Sequence, residues 1–242
     1  METQESTSTI MKPGPMSKKE KIKNVLEMVS LSDYEELIKR TTELFDLEYN
    51  TVESHPNNIK AVIKYKTFTF REGLSLSSKT FMILHSLGHY YFISNAKRKK
   101  NTRYEYIYDK EGTDAPNLHL YKNLGEEPRV VTDKMRKDRI DFEVGANNFG
   151  IELLRHLGME HLSPVVSIYQ AGDVNYILDV TAHGKDAIVP TDYDYLDRYI
   201  CNGLTYEEEP NDEDIFAPEE FSIHGTLDWP YLDHLKLEVH FF

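Results

Sequence analysis

Hydrophobic and polar positions change their spacing several times along this chain of 242 residues, and each spacing predicts an element. Between residues 25 and 45, Val25, Leu26, Val29, Leu37, Leu44 and Phe45 are set among charged residues, as in one or two amphipathic helices. Residues 60–70 are dense in Val, Ile, Tyr, Phe and Thr, which predicts one strand or two, closed by Gly73. Ser75, Ser77 and Ser78 are candidate N-caps for a helix over 78–94. Residues 95–130 read as a long excursion, basic in AKRKKNTR and rich in turn formers in EGTDAPN. Helical spacing returns over 132–157, with Thr132 as cap, Asp133 in the first turn, Arg155 and His156 in the last, and Gly158 as the stop.

Beyond residue 158 the texture changes. VVSIY, NYILDVT and DAIVP are separated by QAGD and AHGK, which predicts two successive hairpins, a short β-meander. Residues 192–200 predict a helix, residues 207–214 an acidic loop, and the closing KLEVHFF a strand. The expected fold class is α+β, with a small antiparallel sheet beside two helices. The expected organisation is a disordered arm over 1–22, a main domain over 23–160 and an acidic, β-rich α+β region over 161–242. Pro13, Gly14, Pro15 and the lysines Lys18, Lys19, Lys21 and Lys23 mark the arm.

Charge sharpens this division. The net charge is −13, yet residues 1–157 carry 25 basic and 23 acidic side chains, whereas residues 158–242 carry 3 and 18. Nucleic-acid affinity rests on cations that displace counterions, so direct nucleic-acid binding by the C-terminal part is not expected. A solvated acidic surface is the plain reading, and a basic protein partner the alternative. Cys201 is the only cysteine, which excludes an intrachain disulfide and favours a reducing compartment. No apolar run reaches the roughly 18 residues of a membrane span, and the N-terminal METQESTST lacks a signal peptide's apolar stretch. A soluble cytoplasmic protein, without membrane contact, is expected.

The chemistry concentrates in His85-Ser86-Leu87-Gly88-His89. On a helix, residues four apart share a face, so two imidazoles can bind one metal ion from one side. A chain with ten histidines will place some pair four apart by chance, so the spacing alone does not decide. A catalytic zinc site takes three protein ligands and an open position. The later helix offers a face made of Glu143, Ala146, Asn147 and Gly150: one carboxylate followed by small residues. Small residues, with Gly88 opposite them, let two helices approach closely, and Glu143 could then reach a metal held by His85 and His89.

KYKTFTFREGLSLSSKTFMILHSLGHYYF followed by DFEVGANNFGIELL resembles the ImmA/IrrE family of zinc-dependent metallopeptidases, over about residues 25–157. The family pattern is an extended segment, a helix with HExGHY and a second helix with ExxANxFAxxLL. This chain matches it at His85, at Leu87-Gly88-His89-Tyr90, and at Glu143, Ala146, Asn147, Phe149, Leu153 and Leu154. The resemblance implies a zincin-like core and Zn²⁺ held by His85, His89 and Glu143. It also implies a regulatory role exerted on a protein partner, such as a helix-turn-helix repressor.

Two departures bear on activity and packing. Ser86 stands where the family has the general-base Glu, which takes the proton of the attacking water and passes it to the leaving amine. A serine hydroxyl has no useful pKa for that task. Gly150 replaces an Ala, and the proline that commonly follows the Leu pair is absent. Glu72, Asp141 and Glu152 are the nearby carboxylates in sequence; Asp141 and Glu152 point away round the helix and read as surface groups. His156 and His161 read as capping or surface groups. His119, His183, His224, His234 and His240 lack ligand spacing, and Trp229 and Tyr90 read as packing residues. Tyr193, Tyr195 and Tyr199 read as amphipathic core. Three functions follow: a metal-binding peptidase-fold protein with impaired hydrolysis, a zinc endopeptidase that uses another base or is silenced at Ser86, or a metal-free acidic interaction protein.

Overall fold

The computed structural model describes residues 16–55, 60–99, 133–183, 227–234 and 238–241. The expected helix over 192–200, the acidic loop, the tyrosines Tyr193, Tyr195 and Tyr199, and the residues His119 and His224 lie outside these. The described part is mostly helical with a small mixed sheet, an α+β arrangement. None of its helices is long and apolar enough to cross a membrane.

Two short helices open it, α1 (Lys18–Leu26) and α2 (Leu31–Phe45). Each begins with a reciprocal cap. Ser17 accepts from the Glu20 backbone while Glu20 accepts from the Ser17 backbone, and Ser30 and Asp33 repeat the arrangement. Helical structure therefore starts at Lys18, inside the stretch expected as a disordered arm. Leu37, Thr41 and Phe45 form the buried stripe of α2.

The sheet has the order β1 (Glu48–Val52), β3 (Thr67–Arg71), β2 (Ala61–Lys64), β4 (Glu238–Phe241). β2 and β3 form a hairpin in which Ala61 faces Phe70 and Ile63 faces Phe68, four side chains on one buried face. β1 runs parallel to β3, so the sheet is mixed and not antiparallel as expected. The terminal strand forms as expected, pairing antiparallel with β2.

Beyond Gly73, whose positive φ turns the chain, Ser75 caps α3 (Leu76–Lys99) by accepting from the Ser78 backbone. Residues 80–94 of α3 are all buried, which makes it the central helix of the molecule. It packs along α4 (Asp133–His156). Gly158 at φ 65° ends α4, with Met159 N–H donating to the Leu154 carbonyl.

A short 3₁₀ turn, Glu160–Leu162, leads into α5 (Ser163–His183). This single helix takes up both VVSIY and NYILDVT, whose patterns predict strands, while DAIVP lies outside the described residues. Its buried residues Val165, Val166, Tyr169 and Gly172 recur at helical spacing, and Pro164 sits in the first turn where no N–H is needed. The last helix, α6 (Trp229–His234), lies against α3: Trp229 meets Tyr90 edge-on at 5.6 Å, and Asp228 N–H donates to Ser94 Oγ at 2.9 Å. Trp229 and the fully buried Tyr90 are thus packing residues, as expected.

The tightest seam is between α3 and α4. A Cβ on Gly88 would lie 2.6 Å from the Ala146 Cα, one on Gly145 2.5 Å from the Phe92 ring, and one on Gly150 3.0 Å from the Leu84 Cβ. At Gly88 the obstacle is backbone, which cannot yield as a side chain can. Gly88→Ala is expected to destabilise the fold by about 3 kcal/mol, the upper end for overpacking. Urea unfolding measures this, and an unchanged midpoint would contradict the close approach.

The Ser30–Asp33 cap gives a pH-dependent prediction. The Ser30 hydroxyl, and after it the Ser30 backbone and His161, hold the Asp33 carboxyl below the usual aspartate range, against the opposing effect of burial. The stabilisation is complete above the unfolded aspartate value and is lost as pH falls through the lowered folded one. Ser30→Ala is expected to cost ~1 kcal/mol near neutral pH, and the difference from wild type should narrow as Asp33 protonates in acid unfolding curves.

Candidate metal centre

His85 and His89 lie one turn apart on the same face of α3, with ring centroids 4.3 Å apart and planes at 86°. Glu143 and Asn147 lie one turn apart on α4. Leu84 faces Gly150 and Gly88 faces Ala146, so the two helices run in opposite directions along the seam. That register sets Asn147 beside His85 and brings Glu143 to both imidazoles.

Three atoms converge. His85 Nε2 is 2.7 Å from His89 Nε2 and 3.0 Å from Glu143 Oε2, and His89 Nε2 is 3.1 Å from the same oxygen. The three residues are 5%, 7% and 3% exposed. Aromatic rings wall them in: Phe81 lies 5.0 Å from the His85 ring and Phe142 4.6 Å from the His89 ring. Among the described residues, this is the group of histidine and acidic side chains that could hold a metal ion. The sequence-predicted ligands His85, His89 and Glu143 are all three brought together.

The donor set fits a divalent cation. A buried carboxylate is costly unless paired or ligated, and two neutral imidazoles do not offset its charge. A tetrahedral ion with bonds of about 2.0–2.1 Å sets its ligand atoms ~3.3 Å apart, so the triad needs to open only slightly to admit one. Burial alone pushes the His85 imidazole down. The Glu143 carboxylate, followed by Asp173 and Asn147, outweighs it and holds His85 above the ordinary histidine range. The pocket attracts positive charge.

The environment of His85 extends beyond the triad. Asn147 Oδ1 lies 2.9 Å from His85 Nδ1; an amide oxygen only accepts, so Nδ1 carries a proton and Nε2 is the nitrogen left to a metal ion. Asp173 Oδ2, on α5, lies 3.9 Å from the same Nδ1. Sequence reading placed Asn147 on the right helix face but gave it no role beyond small size. It missed Asp173 because it read that segment as β structure.

Ser86 is fully buried and donates its hydroxyl to the Met82 carbonyl at 2.7 Å, the carbonyl one turn back in its own helix. The other carboxylates do not join the triad. Glu72 is exposed at the end of β3, and Glu152, half-buried, pairs with Arg155. Asp141 is 1% exposed, with Lys137 Nζ 3.7 Å from it, so it is a buried group rather than the surface group expected. His161 pairs with Asp33 at 3.0 Å on the surface, in line with a capping or surface role.

No family model, no curated protein and no solved structure matches this chain. The site must therefore be judged on its own geometry. Titrated with Zn²⁺, the protein is expected to take up one equivalent. At free metal ~100 times the dissociation constant, stability should rise by about 2.7 kcal/mol. His89→Ala should abolish that rise in a thermal-shift measurement. An equal rise in the variant would place the ion elsewhere.

Proposed function

We propose that this chain is an ImmA/IrrE-like metallopeptidase-fold protein that binds zinc at His85, His89 and Glu143, hydrolyses peptides poorly or not at all, and regulates through a protein partner. Two observations support it jointly. The two motifs that carry the family resemblance lie on α3 and α4, whose ligand atoms stand within 3.1 Å of one another. The hydroxyl at the position of the general base is tied to the Met82 carbonyl.

Zn²⁺ in such a site supplies Lewis-acid polarisation of a carbonyl and lowers the pKa of water. The remaining work falls to the chain's own residues. His85 is held in one tautomer by Asn147, and Glu143 supplies the negative charge of the ligand set. The aromatic walls of Phe81 and Phe142 exclude bulk water from the inner side. None of the other carboxylates considered joins the triad. General acid–base catalysis contributes ~10²–10⁴ in rate, so its loss alone would leave a protein that binds a peptide segment without turning it over. A helix-turn-helix repressor is the partner the family resemblance implies. The single Cys201 supports a reducing, cytoplasmic setting for that role.

Ser86→Glu is the deciding variant. It is expected to raise cleavage of a co-expressed helix-turn-helix repressor by ~10²–10⁴ over the wild-type chain. A wild-type chain that already cleaves at a comparable rate would instead mean an active endopeptidase with another base.

A further inference from the structure

We propose that Asp173 is a positioning residue for the metal centre: with Asn147 it holds the Nδ1 edge of His85, so the grip on a divalent ion depends on α5. This rests on the metal reading above and adds to it a group from the acidic third of the chain, outside the segment that resembles the peptidase family.

The geometry carries it. The Nε2 edge of His85 faces the other two ligand atoms at 2.7 and 3.0 Å. The Nδ1 edge, across the ring, faces Asn147 Oδ1 at 2.9 Å and Asp173 Oδ2 at 3.9 Å. The imidazole stands between Asp173 and the triad's centre, so this carboxylate is not a substitute for the missing base. At 3.9 Å it lies beyond a direct hydrogen bond and acts through its charge. The charge of a carboxylate behind a ligating histidine makes the ring a stronger donor, while Asn147, within hydrogen-bond reach of the same nitrogen, fixes its orientation.

Asp173 is placed there by a ladder of contacts. Tyr169, one turn earlier on α5, stacks on Phe81 with centroids 4.7 Å apart and planes at 15°, and its hydroxyl is 2.8 Å from Ser78 Oγ. Phe81 is likewise one turn before His85. The pairs Phe81–Tyr169 and His85–Asp173 therefore advance together, with α5 parallel to α3. Withdrawing this stretch of α5 from α3 would unstack Tyr169 from Phe81.

The test is Zn²⁺ affinity of the full-length chain, by competition with a chromogenic chelator, for wild type, Asp173→Asn, Asp173→Ala and His89→Ala. Asp173→Asn should bind one equivalent 10–100-fold more weakly than wild type, the usual cost of losing such a partner. The His85 Nδ1 proton resonance should shift while the His89 ring signals stay in place. His89→Ala should lose binding outright. If Asp173→Ala fails to fold, Asp173→Asn, which keeps the side chain's shape, carries the comparison. Affinity within twofold of wild type in the folded Asp173 variants, with wild type binding one ion, overturns this inference alone. A wild-type chain that takes up no Zn²⁺ overturns the metal reading and this one together.

Discussion

The backbone contact between Gly88 and Ala146 sets the spacing on which the site depends. Side chains of ordinary size would hold two helices about 8–10 Å apart. Here a Cβ at Gly88 would lie within 2.6 Å of the Ala146 Cα, so the helices meet backbone to backbone. Glu143 reaches both imidazoles, at 3.0 and 3.1 Å, across this narrow seam. Gly145 and Gly150 extend the narrow seam on either side, against Phe92 and Leu84. The same small residues therefore serve packing and ligand geometry at once, and neither can be relaxed without the other.

That narrow seam makes a buried electrostatic problem. The Glu143 carboxylate and two imidazoles sit buried beside Phe81 and Phe142, where an uncompensated charge is expensive. The upward displacement of His85 expresses the demand for a positive charge. A proton meets it poorly, since it serves one pair at a time, whereas a divalent ion serves all three ligands. Asn147 sits behind the first imidazole, where its amide oxygen accepts from Nδ1 and leaves Nε2 as the nitrogen that faces the other two ligands.

Much of this was legible in the residues. The i,i+4 histidines, the single carboxylate on a face of small residues, Gly158 as a helix stop and Trp229 as an anchor follow from spacing and residue chemistry. The unread parts have physical reasons. β1 has the sequence EYNTV with a mostly exposed surface, so it offers no apolar alternation to detect. The hairpin between β2 and β3 turns at Tyr65 and Lys66, neither a usual turn former; Tyr65 takes φ 52°, and its ring lies 5.5 Å from Trp229. α5 is rich in Val and Ile and interrupted by QAGD, which imitates strand and turn. Its burial at Val165, Tyr169 and Gly172 follows α3 and α4, and local propensity yields to that packing. With the segment read as strand, Asp173 could not be placed beside His85. Asp141 was misread for a similar reason, because helix angle alone does not tell which neighbours cover a face.

The residue at position 86 ties fold to chemistry. A glutamate there, as in the family that the sequence resembles, would place a second carboxylate on the buried helix that carries His85 and His89, and like charges in a buried site disfavour ionisation of both. Ser86 removes that conflict: its hydroxyl is satisfied by the Met82 carbonyl one turn back and asks nothing of the pocket. The central helix, buried throughout residues 80–94, therefore carries at position 86 a neutral group whose hydrogen bond is made within the helix itself.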